Sequence, residues 1–408
     1  MTSLASEKKV STPTENLPTE MVIKNYRPPM SYRRFGKTGC MLSVITLGGM
    51  RYVHGWEKPR ETVPKDMLDQ CVANIEYAFA NGINHIETAY GYGKSEHCYS
   101  TALNDVLKVP RESYYFMTKG DPIGKAATRD RVEEQLRTLK MDYIDFYAWH
   151  GLNNDNRLKE ACHSGSVEEL LKMKAEGKIR HVGFSTHAPA SVICRAIETG
   201  LFDFVNLHYY YFFQRNLAAI TLAEERDMGI FIISPNDKGG QLFNPPPKLR
   251  ALTHPLTPIQ WNARFCLRLK AIHTLSFGMT EKSHHDEMEG IFPITFPMAK
   301  EDYEILHNLD SQLLLDPYAH YEGFDLLTNK AEINIPEILR LRKLWKCYNM
   351  KDFAVYRYNM LETEGHWFPG RFPTEERLNA LDTSHVPPHI NIKALLRETH
   401  QALYKPKP

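Results

Sequence analysis

Four side chains suited to acid–base chemistry lie at or just after the ends of short apolar runs in the sequence: Glu87, Tyr92, Lys119 and His150. A phenol has a pKa of about 10, too high for easy proton exchange near neutral pH. A nearby ammonium favours the phenolate and lowers that pKa. We therefore expect Lys119 to tune Tyr92 as a general acid and Glu87 to hold Lys119 by an ion pair. His150 could then hydrogen-bond a carbonyl oxygen.

Each of these residues also has a simpler interpretation. Glu87 could form a surface salt bridge with any lysine, and Lys119 could be solvated at a strand end. Tyr92 alone would be a packing aromatic, and His150 alone a hydrogen-bonded core histidine. Their joint position favours the chemical interpretation. Such a set still lacks a reductant, which a nicotinamide cofactor would supply.

The elements that must position these residues repeat one pattern from residue 42 onward. A short apolar run is followed by a turn and then by apolar residues at helical spacing, as in residues 66–82. Eight such runs occur, at 42–48, 83–89, 114–119, 144–150, 179–185, 202–209, 229–235 and 272–278. Eight strand–helix units predict an α/β fold, a closed parallel (β/α)8 TIM barrel. A doubly wound sheet is the alternative.

In a barrel of this kind the working residues lie at the C-terminal ends of the strands. The four side chains come from the ends of three consecutive predicted strands, which brings them to one rim. Residues 32–40 are expected to form a hairpin that closes the opposite end.

Composition bounds the remaining questions. The chain has 408 residues, 42% of them hydrophobic, and a formal charge of +1, which points to neither a nucleic-acid nor a membrane partner. The seven cysteines form no CxxC pair, so we expect a reducing, cytoplasmic location and no metal site.

The sequence predicts a disordered N-terminal arm (1–28), a barrel (29–292) and a C-terminal helical extension (293–408) with helices in 335–360 and 390–404.

The segments "IETAYGYGKSE", "MTK" and "YAWHGL" together resemble the aldo-keto reductase family. The family has an acid, a tyrosine five residues later, a lysine on the third strand and a histidine on the fourth. The resemblance covers residues 31–292 and implies that Tyr92, Lys119, His150 and Glu87 are catalytic. It also implies NADPH as cofactor and a small-molecule carbonyl or alcohol as substrate.

The resemblance further implies which residues hold the cofactor. "GFSTH" is similar to the segment that binds the nicotinamide amide, and "SPNDKGGQL" to the loop over the pyrophosphate. "FGMTEKSHHDEME" resembles the segment around the 2′-phosphate. The implied cofactor residues are Gly49, Met50, Ser185, Asn206, Ser234, Lys238, Gly239, Gly240, Gly278, Thr280, Lys282 and Glu287. His284 and His285 also invite a metal interpretation, but adjacent histidines on a helix point apart.

Four positions depart from the family pattern. Glu87 stands where the family has an aspartate, Leu207 where it often has a glutamine, Ile233 where many members have an aromatic, and Met288 where an asparagine is usual. We expect these changes to alter the cofactor geometry while leaving the four catalytic residues in place.

The extension resembles a ferredoxin-like module found in one branch of the family. In that branch, cysteine runs precede the helices and bind iron–sulfur clusters. Here the corresponding segments, 315–334 and 378–391, contain no cysteine, and Cys347 is the only cysteine beyond residue 292. A cluster needs four ligands, so we expect a colourless protein without an iron–sulfur cluster.

The sequence thus favours an NADPH-dependent aldo-keto reductase that transfers a hydride between the nicotinamide and an aldehyde or ketone. One alternative is an NADP(H)-binding sensor or interaction subunit with little turnover. Another is an epimerase or dehydratase that uses the cofactor transiently. The sequence does not indicate which substrate is bound.

Overall fold

The computed structural model describes residues 8–11, 20–321, 330–362 and 370–405. The chain divides into two compact units, one of residues 1–236 and 262–297 and one of residues 237–261 and 298–408. The parts of the predicted arm at 1–7 and 12–19 lie outside the described residues, as do residues 322–329 of the extension.

Twelve strands form the sheets of the described chain. They are β1 (Lys8–Ser11), β2 (Glu20–Ile23), β3 (Tyr32–Arg34), β4 (Met41–Ser43), β5 (Ile45–Gly48), β6 (His85–Glu87), β7 (Tyr115–Gly120), β8 (Ile144–Trp149), β9 (Ile179–Ser185), β10 (Phe204–Leu207), β11 (Gly229–Ile232) and β12 (Thr274–Phe277).

The predicted (β/α)8 barrel is confirmed. Strands β5 to β12 close into one parallel barrel in the order β10-β11-β12-β5-β6-β7-β8-β9. Each coincides with one of the eight apolar runs, and only β7 extends beyond its run, by one residue at Gly120. The strands are buried along nearly their whole length, as parallel strands covered by helices must be.

The helices are α1 (Lys65–Ala80), α2 (Ser95–Ser100), α3 (Lys125–Leu139), α4 (Asp155–His163), α5 (Ser166–Ala175), α6 (Ala190–Glu198), α7 (Leu217–Glu225), α8 (Asp237–Gly240), α9 (Pro247–Thr253), α10 (Pro258–Leu267), α11 (Lys282–Glu289), α12 (Lys300–Ser311), α13 (Ile335–Tyr348), α14 (Lys351–Tyr358), α15 (Glu375–Ala380) and α16 (Ile392–Leu403). Short 3-10 turns cover Gly36–Thr38, Arg111–Ser113 and Gln312–Leu315, and a π-helical turn covers Thr101–Val106.

Side-chain alternation decides which residues of each strand face the barrel axis. Tyr115 and Met117 of β7 and Phe146 and Ala148 of β8 belong to one buried cluster inside the barrel. Since successive strand residues point to opposite faces, the next inward positions on these strands fall at Lys119 and just past β8 at His150. The apolar interior therefore ends in polar side chains at the C-terminal rim.

A hairpin closes the other end of the barrel, as the sequence predicts. Strands β3 and β4 pair antiparallel around a turn at residues 36–39. Phe35 at this turn is fully buried, and its ring meets Phe146 edge-on at 5.3 Å. Gly36 has φ +52°, and a Cβ there would lie 2.3 Å from the backbone carbon of Met228, so the turn requires glycine.

Part of the predicted arm is paired. Strands β1 and β2 form an antiparallel ladder, and Met21 and Ile23 pack with Met41 in a small buried cluster.

The second unit contains the C-terminal helices and, in addition, residues 237–261, which the sequence analysis assigns to the barrel. Side-chain to backbone hydrogen bonds hold this segment there. Lys248 donates to the carbonyl of Cys347 at 2.7 Å, and Trp261 donates to that of Asp302 at 3.1 Å.

Buried ion pairs reinforce the second unit. Arg340 pairs with Glu337 in one turn of α13, with both side chains at most 1% exposed. Arg342 pairs with buried Asp316 at 2.8 Å and with Glu398 of α16 at 2.7 Å.

Replacing the residue that plugs the barrel floor tests its role in stability. We expect Phe35→Ala to lower the free energy of unfolding by about 3–5 kcal/mol, because a fully buried ring leaves a cavity. The midpoint of urea denaturation measures the change. Phe296→Ala is the matched control, since Phe296 is 44% exposed, and it should cost about 1 kcal/mol or less. Equal losses of unfolding free energy in the two variants would contradict the role of Phe35 in closing the barrel floor.

Candidate active site

The four predicted catalytic residues come together at the C-terminal ends of β6, β7 and β8. Glu87 ends β6 and pairs with Met117 of β7 and Gly48 of β5 in the sheet. His85, two residues earlier, packs its ring edge-on against Phe146 inside the barrel at 5.4 Å. The alternation of β6 therefore turns Glu87 toward the barrel axis, where Lys119 also points.

A buried ion pair forms the centre of the site. Lys119 Nζ contacts Glu87 Oε1 and donates to the carbonyl of Thr88 at 2.8 Å. The other carboxylate oxygen, Glu87 Oε2, accepts a hydrogen bond from Ser276 Oγ at 3.0 Å. The two charged side chains are only 1% and 5% exposed. Both oxygens of the acid are thus satisfied.

The structure leaves room for the methylene by which Glu87 is longer than an aspartate. Gly48 of β5 lies beside the pair, and a Cβ at this position would stand 2.8 Å from Ser276 Oγ and 3.4 Å from Glu87 Oε2. A glycine therefore leaves the space in which a glutamate can reach both Lys119 and Ser276.

Tyr92 lies directly beside this pair. Its hydroxyl is 3.5 Å from Glu87 Oε1, and Lys119 Nζ lies 4.7 Å from the centre of its ring. The ring of His150 meets that of Tyr92 edge-on at 5.8 Å. The phenol, the ammonium, the carboxylate and the imidazole therefore form one contiguous cluster.

The loop that carries Tyr92 is tied to the loop after β5. Gly93 has φ +56°, and a Cβ there would lie 2.1 Å from the carbonyl oxygen of Gly55. The next backbone amide, that of Lys94, donates to the same carbonyl at 2.8 Å. Only glycine permits this close approach, which fixes the position of Tyr92.

Burial dominates the acidity of the site. It raises the pKa of Tyr92 to about 12, and the positive charge of Arg51 partly opposes this rise. Burial also lowers the pKa of Lys119 well below its ordinary value. The sequence analysis expects Lys119 to lower the pKa of Tyr92. In the structure its charge is paired with Glu87, and Arg51 is the cation that acts on the phenol.

Hydrogen bonds hold His150 and the loop after it. The backbone amide of His150 donates to the carbonyl of Gly120 at 2.8 Å, which joins the ends of β7 and β8. The amides of Gly151 and Leu152 both donate to the carbonyl of Ser185, at 3.1 and 2.9 Å. The histidine is therefore fixed between two neighbouring strands.

Ser185 is the last residue of β9, and Asn206 is the last but one of β10. The resemblance implies that both residues hold the nicotinamide end of the cofactor. Asn206 is fully buried; its Nδ2 donates to Met117 Sδ at 3.2 Å, while its Oδ1 has no partner. A buried acceptor without a donor is costly. This oxygen therefore fits a carboxamide N–H, as a nicotinamide would offer.

The structure changes the interpretation of one of the four positions that depart from the family pattern. Leu207 follows Asn206 on β10, so its buried side chain points to the opposite face of the sheet. Leu207 therefore does not face the barrel interior, where Asn206 presents an amide. Ile233 belongs to the interior cluster, and Met288 is buried on α11.

The other predicted cofactor residues of the first unit follow strand ends. Gly49 and Met50 come directly after β5, and the Gly49 amide donates to the carbonyl of Glu87 at 2.8 Å. Ser234 after β11 has φ +51°, an uncommon conformation for a serine. Gly278 follows β12, and the side chain of Arg51 crosses it so closely that a Cβ would lie 2.7 Å from Arg51 Cγ.

Residues of the last predicted cofactor segment make local contacts. Thr280 donates its backbone amide to His284 Nδ1 at 3.2 Å, and Lys282 pairs with Asp286 one turn along α11. Glu287 follows on the same helix. His285 turns inward to Asn74, and no group of three or more His, Cys, Asp or Glu in the described ranges could hold a metal ion.

Lys238, Gly239 and Gly240 form most of the short helix α8 and belong to the second unit. Within that unit the carbonyl of Lys238 accepts from Arg340 at 3.4 Å. A Cβ at Gly240 would lie 2.2 Å from Met350 Cε.

Two residues of the site were missed from the sequence. Ser276 could have been found from alternation, since it follows Thr274 on the inward face of β12, where Thr274 bonds Thr46 of the neighbouring strand β5. Arg51 gave no signal, because a single arginine after a strand has no distinguishing pattern.

Comparison with known proteins identifies the fold's family. Residues 44–243 match the aldo/keto reductase family. The chain belongs to the aldo/keto reductase superfamily. This is a superfamily of oxidoreductases, and the barrel described above is its architecture.

Individual relatives are distant. The oxidoreductase YqkF of Bacillus subtilis is 26% identical over 225 residues, 52% of this chain and 66% of the relative. The L-galactose dehydrogenase of Arabidopsis thaliana is 26% identical over 239 residues, 55% of this chain and 70% of the relative. An aldo-keto reductase structure from Klebsiella pneumoniae, in complex with NADPH, has a TM-score of 0.54 at 21% identity and covers 69% of this chain and 95% of its own.

The chain spans about two thirds of the length of the Bacillus relative. In the part of the chain that the structure describes, no helix has the length and apolar character needed to cross a membrane.

A spectroscopic titration tests the acidity of Tyr92. The difference in tyrosinate absorbance between wild type and Tyr92→Phe should stay flat through pH 10, the ordinary pKa of tyrosine, and rise only toward pH 12. The reason is that burial penalises the phenolate. The same difference measured in denaturant is the control, and it should rise near pH 10, as expected for a solvated phenol. Ionisation of folded Tyr92 below pH 10 would show that Lys119 outweighs burial.

Proposed function

We propose that this protein is an NADPH-dependent aldo-keto reductase acting on an aldehyde or ketone, with Tyr92 as general acid. The observation that carries the proposal is the Lys119–Glu87 ion pair, buried beside the Tyr92 phenol and next to His150. Burying two charges is unfavourable unless they are paired and further hydrogen-bonded. A buried pair that is further hydrogen-bonded to Thr88 and Ser276 and lies against a phenol at the barrel rim is better suited to proton transfer than to stability.

The side chains have separate tasks in this reaction. His150 donates a hydrogen bond that orients the substrate carbonyl, and Tyr92 gives its hydroxyl proton to the carbonyl oxygen as the C–H bond forms at carbon. Lys119 and Glu87 hold the phenol in place. The reduced nicotinamide supplies the hydride when it is bound. The reverse oxidation uses the same groups.

The cofactor would be held at its amide end by Ser185 and Asn206. Support for NADPH comes from the Klebsiella pneumoniae relative, whose structure contains that cofactor. Lys282, for which the resemblance implies a 2′-phosphate contact, lies on an exposed face with its ammonium on Asp286. Binding a phosphate there would require Lys282 to exchange Asp286 for the new anion.

The site is proposed to work on a free small molecule in the cytoplasm. The seven cysteines are all free thiols, as a reducing compartment favours. The cysteine-free segments of the extension support the further proposal that the protein carries no iron–sulfur cluster.

Turnover with a panel of aldehydes tests the proposed reaction. Purified protein mixed with NADPH should lose the absorbance of the reduced nicotinamide, and Tyr92→Phe should lower kcat by about 100-fold or more, because general acids contribute about 10²–10⁴-fold. The control is Tyr303→Phe, which alters an exposed tyrosine of α12 and should leave kcat unchanged.

Other outcomes decide between the alternatives. Tight NADPH binding with wild type and Tyr92→Phe equally inert would favour a sensor. Product formed without net loss of NADPH would favour an epimerase or dehydratase.

Shortening the acid tests whether the site is built around glutamate. Glu87→Asp should lower kcat about tenfold or more, because the carboxylate can no longer reach both Lys119 and Ser276, and a hydrogen bond to a charged group contributes about 1.5–3 kcal/mol. Steady-state kinetics measure the change.

Two further variants test the two interactions of the Glu87 carboxylate separately. Glu87→Gln leaves the Lys119 charge buried without its partner and should destabilise the fold by about 3–5 kcal/mol in urea denaturation. Ser276→Ala should reproduce part of the Glu87→Asp defect. Equal or higher activity of Glu87→Asp would show that the site tolerates either acid.

A further inference from the structure

A cavity of about 460 Å³ opens at the floor of the barrel, within the first unit. It is lined by strand β3, by the turns that precede β11 and β12, and by residues 294–296. Because β11 and β12 begin at these turns, the cavity lies at the N-terminal ends of the strands. The cluster around Tyr92 lies at their C-terminal ends. Small-molecule sites have volumes of about 300–1,000 Å³, so this cavity is large enough for an organic ligand.

The lining of the cavity carries more positive than negative charge. Three cations, Arg33, Arg34 and Lys270, line it together with the two carboxylates of Glu224 and Asp227, which leaves one net positive charge. Arg34 and Asp227 neutralise each other through two hydrogen bonds of 2.8 Å. In the described ranges of the chain, neither Arg33 nor Lys270 pairs with a carboxylate.

One phenylalanine ring brings these two cations together. The guanidinium carbon of Arg33 lies 5.1 Å from the centre of the Phe296 ring, and Lys270 Nζ lies 5.3 Å from the same centre. Each contact is favourable, but two like charges at one ring repel each other. Arg33 donates to the carbonyls of Leu267 at 2.6 Å and Leu269 at 2.9 Å, which carry only partial charges. A bound anion would attract both cations and relieve their repulsion.

His273 adds a neutral donor to the same lining. Its Nδ1 accepts a hydrogen bond from the backbone amide of Ile230 at 2.9 Å, so the ring proton of the neutral imidazole is on Nε2. Burial, together with the charge of Arg33, lowers the pKa of His273 to about 3 and keeps the ring neutral at neutral pH. Among the residues that the structure describes, His273 Nε2 has no hydrogen-bond partner. An acceptor in the cavity would satisfy this N–H group.

Apolar groups form much of the remaining lining. Met228 is buried, and Ile294 is partly buried. The hydroxyl of Tyr32 lies 3.0 and 2.9 Å from the carbonyls of Asn25 and Gly82, so Tyr32 offers the cavity its ring. Such walls suit the hydrocarbon part of an organic molecule better than a bare inorganic ion.

We propose that this cavity is a second binding site, for a small organic monocarboxylate. The carboxylate accepts hydrogen bonds from Lys270 and from His273 Nε2–H and is attracted by the charge of Arg33. Its apolar body packs against the ring of Tyr32. One negative charge matches the net charge of the lining, and the exposed carboxylate of Glu224 disfavours a dianion. The site is separate from the proposed reductase site and does not depend on that reaction.

A matched pair of aromatic ligands tests the proposal by isothermal titration calorimetry. Benzoate carries the charge, and benzamide has nearly the same shape without it. Benzoate should bind saturably and at least about tenfold more tightly than benzamide, the effect of one hydrogen bond to a charged group. For the same reason Lys270→Met should weaken benzoate binding roughly tenfold. Lys37→Met is the matched control and should leave the affinity unchanged, because Lys37 is an exposed lysine of the same hairpin that does not line the cavity.

Three results of this titration would overturn the proposal: no saturable binding of benzoate, equal binding of benzamide, or wild-type affinity in Lys270→Met. Inorganic phosphate is the third probe, and tighter binding of phosphate than of benzoate would overturn the assignment to a carboxylate. Phe296→Ala supplies a second variant. It releases the two cations from their shared ring and should weaken the binding of benzoate but not that of benzamide.

Nitrogen-15 labelling at histidine locates the bound anion independently of turnover. Benzoate should shift the Nε2 resonance of His273, which His273→Gln assigns. A benzoate titration that shifts His150 and leaves His273 unaffected would place the anion at the catalytic rim. That result would overturn the second site whether or not the protein reduces aldehydes.

Discussion

The buried ion pair between Glu87 and Lys119 is the interaction on which the rest of the site depends. Two charges removed from water are stable only if each is paired and its other hydrogen-bonding positions are filled. Here the additional hydrogen bonds involve two separate parts of the barrel. The carbonyl of Thr88, after β6, accepts from Lys119, and the hydroxyl of Ser276 on β12 donates to Glu87. Gly48 of β5 supplies the space. A one-residue slip in any of these strands would turn a required group to the other face. The pair therefore fixes the register of four neighbouring strands.

Because the pair is neutral as a whole, it does little to make Tyr92 acidic. Burial sets the balance and raises the pKa of Tyr92 to about 12, with Arg51 pulling in the other direction. A phenol with that pKa keeps its proton at neutral pH. The free site therefore holds Tyr92 as the neutral phenol beside the Lys119–Glu87 pair.

The sequence predicts much of this arrangement and fails at identifiable points. The barrel was predictable because eight buried parallel strands leave eight apolar runs, and Tyr92, Lys119 and His150 could be placed because strand ends share one rim. The contacts of His208 with His187 and Tyr210 could not be predicted, since "HYYYFF" has the composition of an aromatic core segment, and all five residues from Tyr209 to Phe213 are in fact buried. Similarly, no local signal places residues 237–261 with the second unit. That grouping depends on hydrogen bonds to helices far along the chain, from Lys248 to Cys347 and from Trp261 to Asp302, 99 and 41 positions away.

The segment around Tyr92 contains a second buried carboxylate, that of Glu96. Comparing it with Glu87 shows that the role of a buried glutamate depends on its hydrogen-bond partners and not on its residue type. Glu96 is 1% exposed, and burial raises its pKa. It accepts hydrogen bonds from Thr118 at 2.7 Å, Gln135 at 2.6 Å and Arg60 at 3.1 Å. These partners are a hydroxyl, an amide and a guanidinium, and none of them belongs to the cluster around Tyr92.

Glu96 serves instead to hold the end of β7. Gln135, fixed by Glu96, also donates to the carbonyl of Lys119 at 3.2 Å, and Thr118 precedes Lys119 on the strand. Lys119 is therefore held on its side chain by Glu87 and on its backbone by the network of Glu96. Two glutamates nine positions apart thus restrain one lysine from opposite faces of β7, and only Glu87 lies beside the phenol of Tyr92 at the barrel axis.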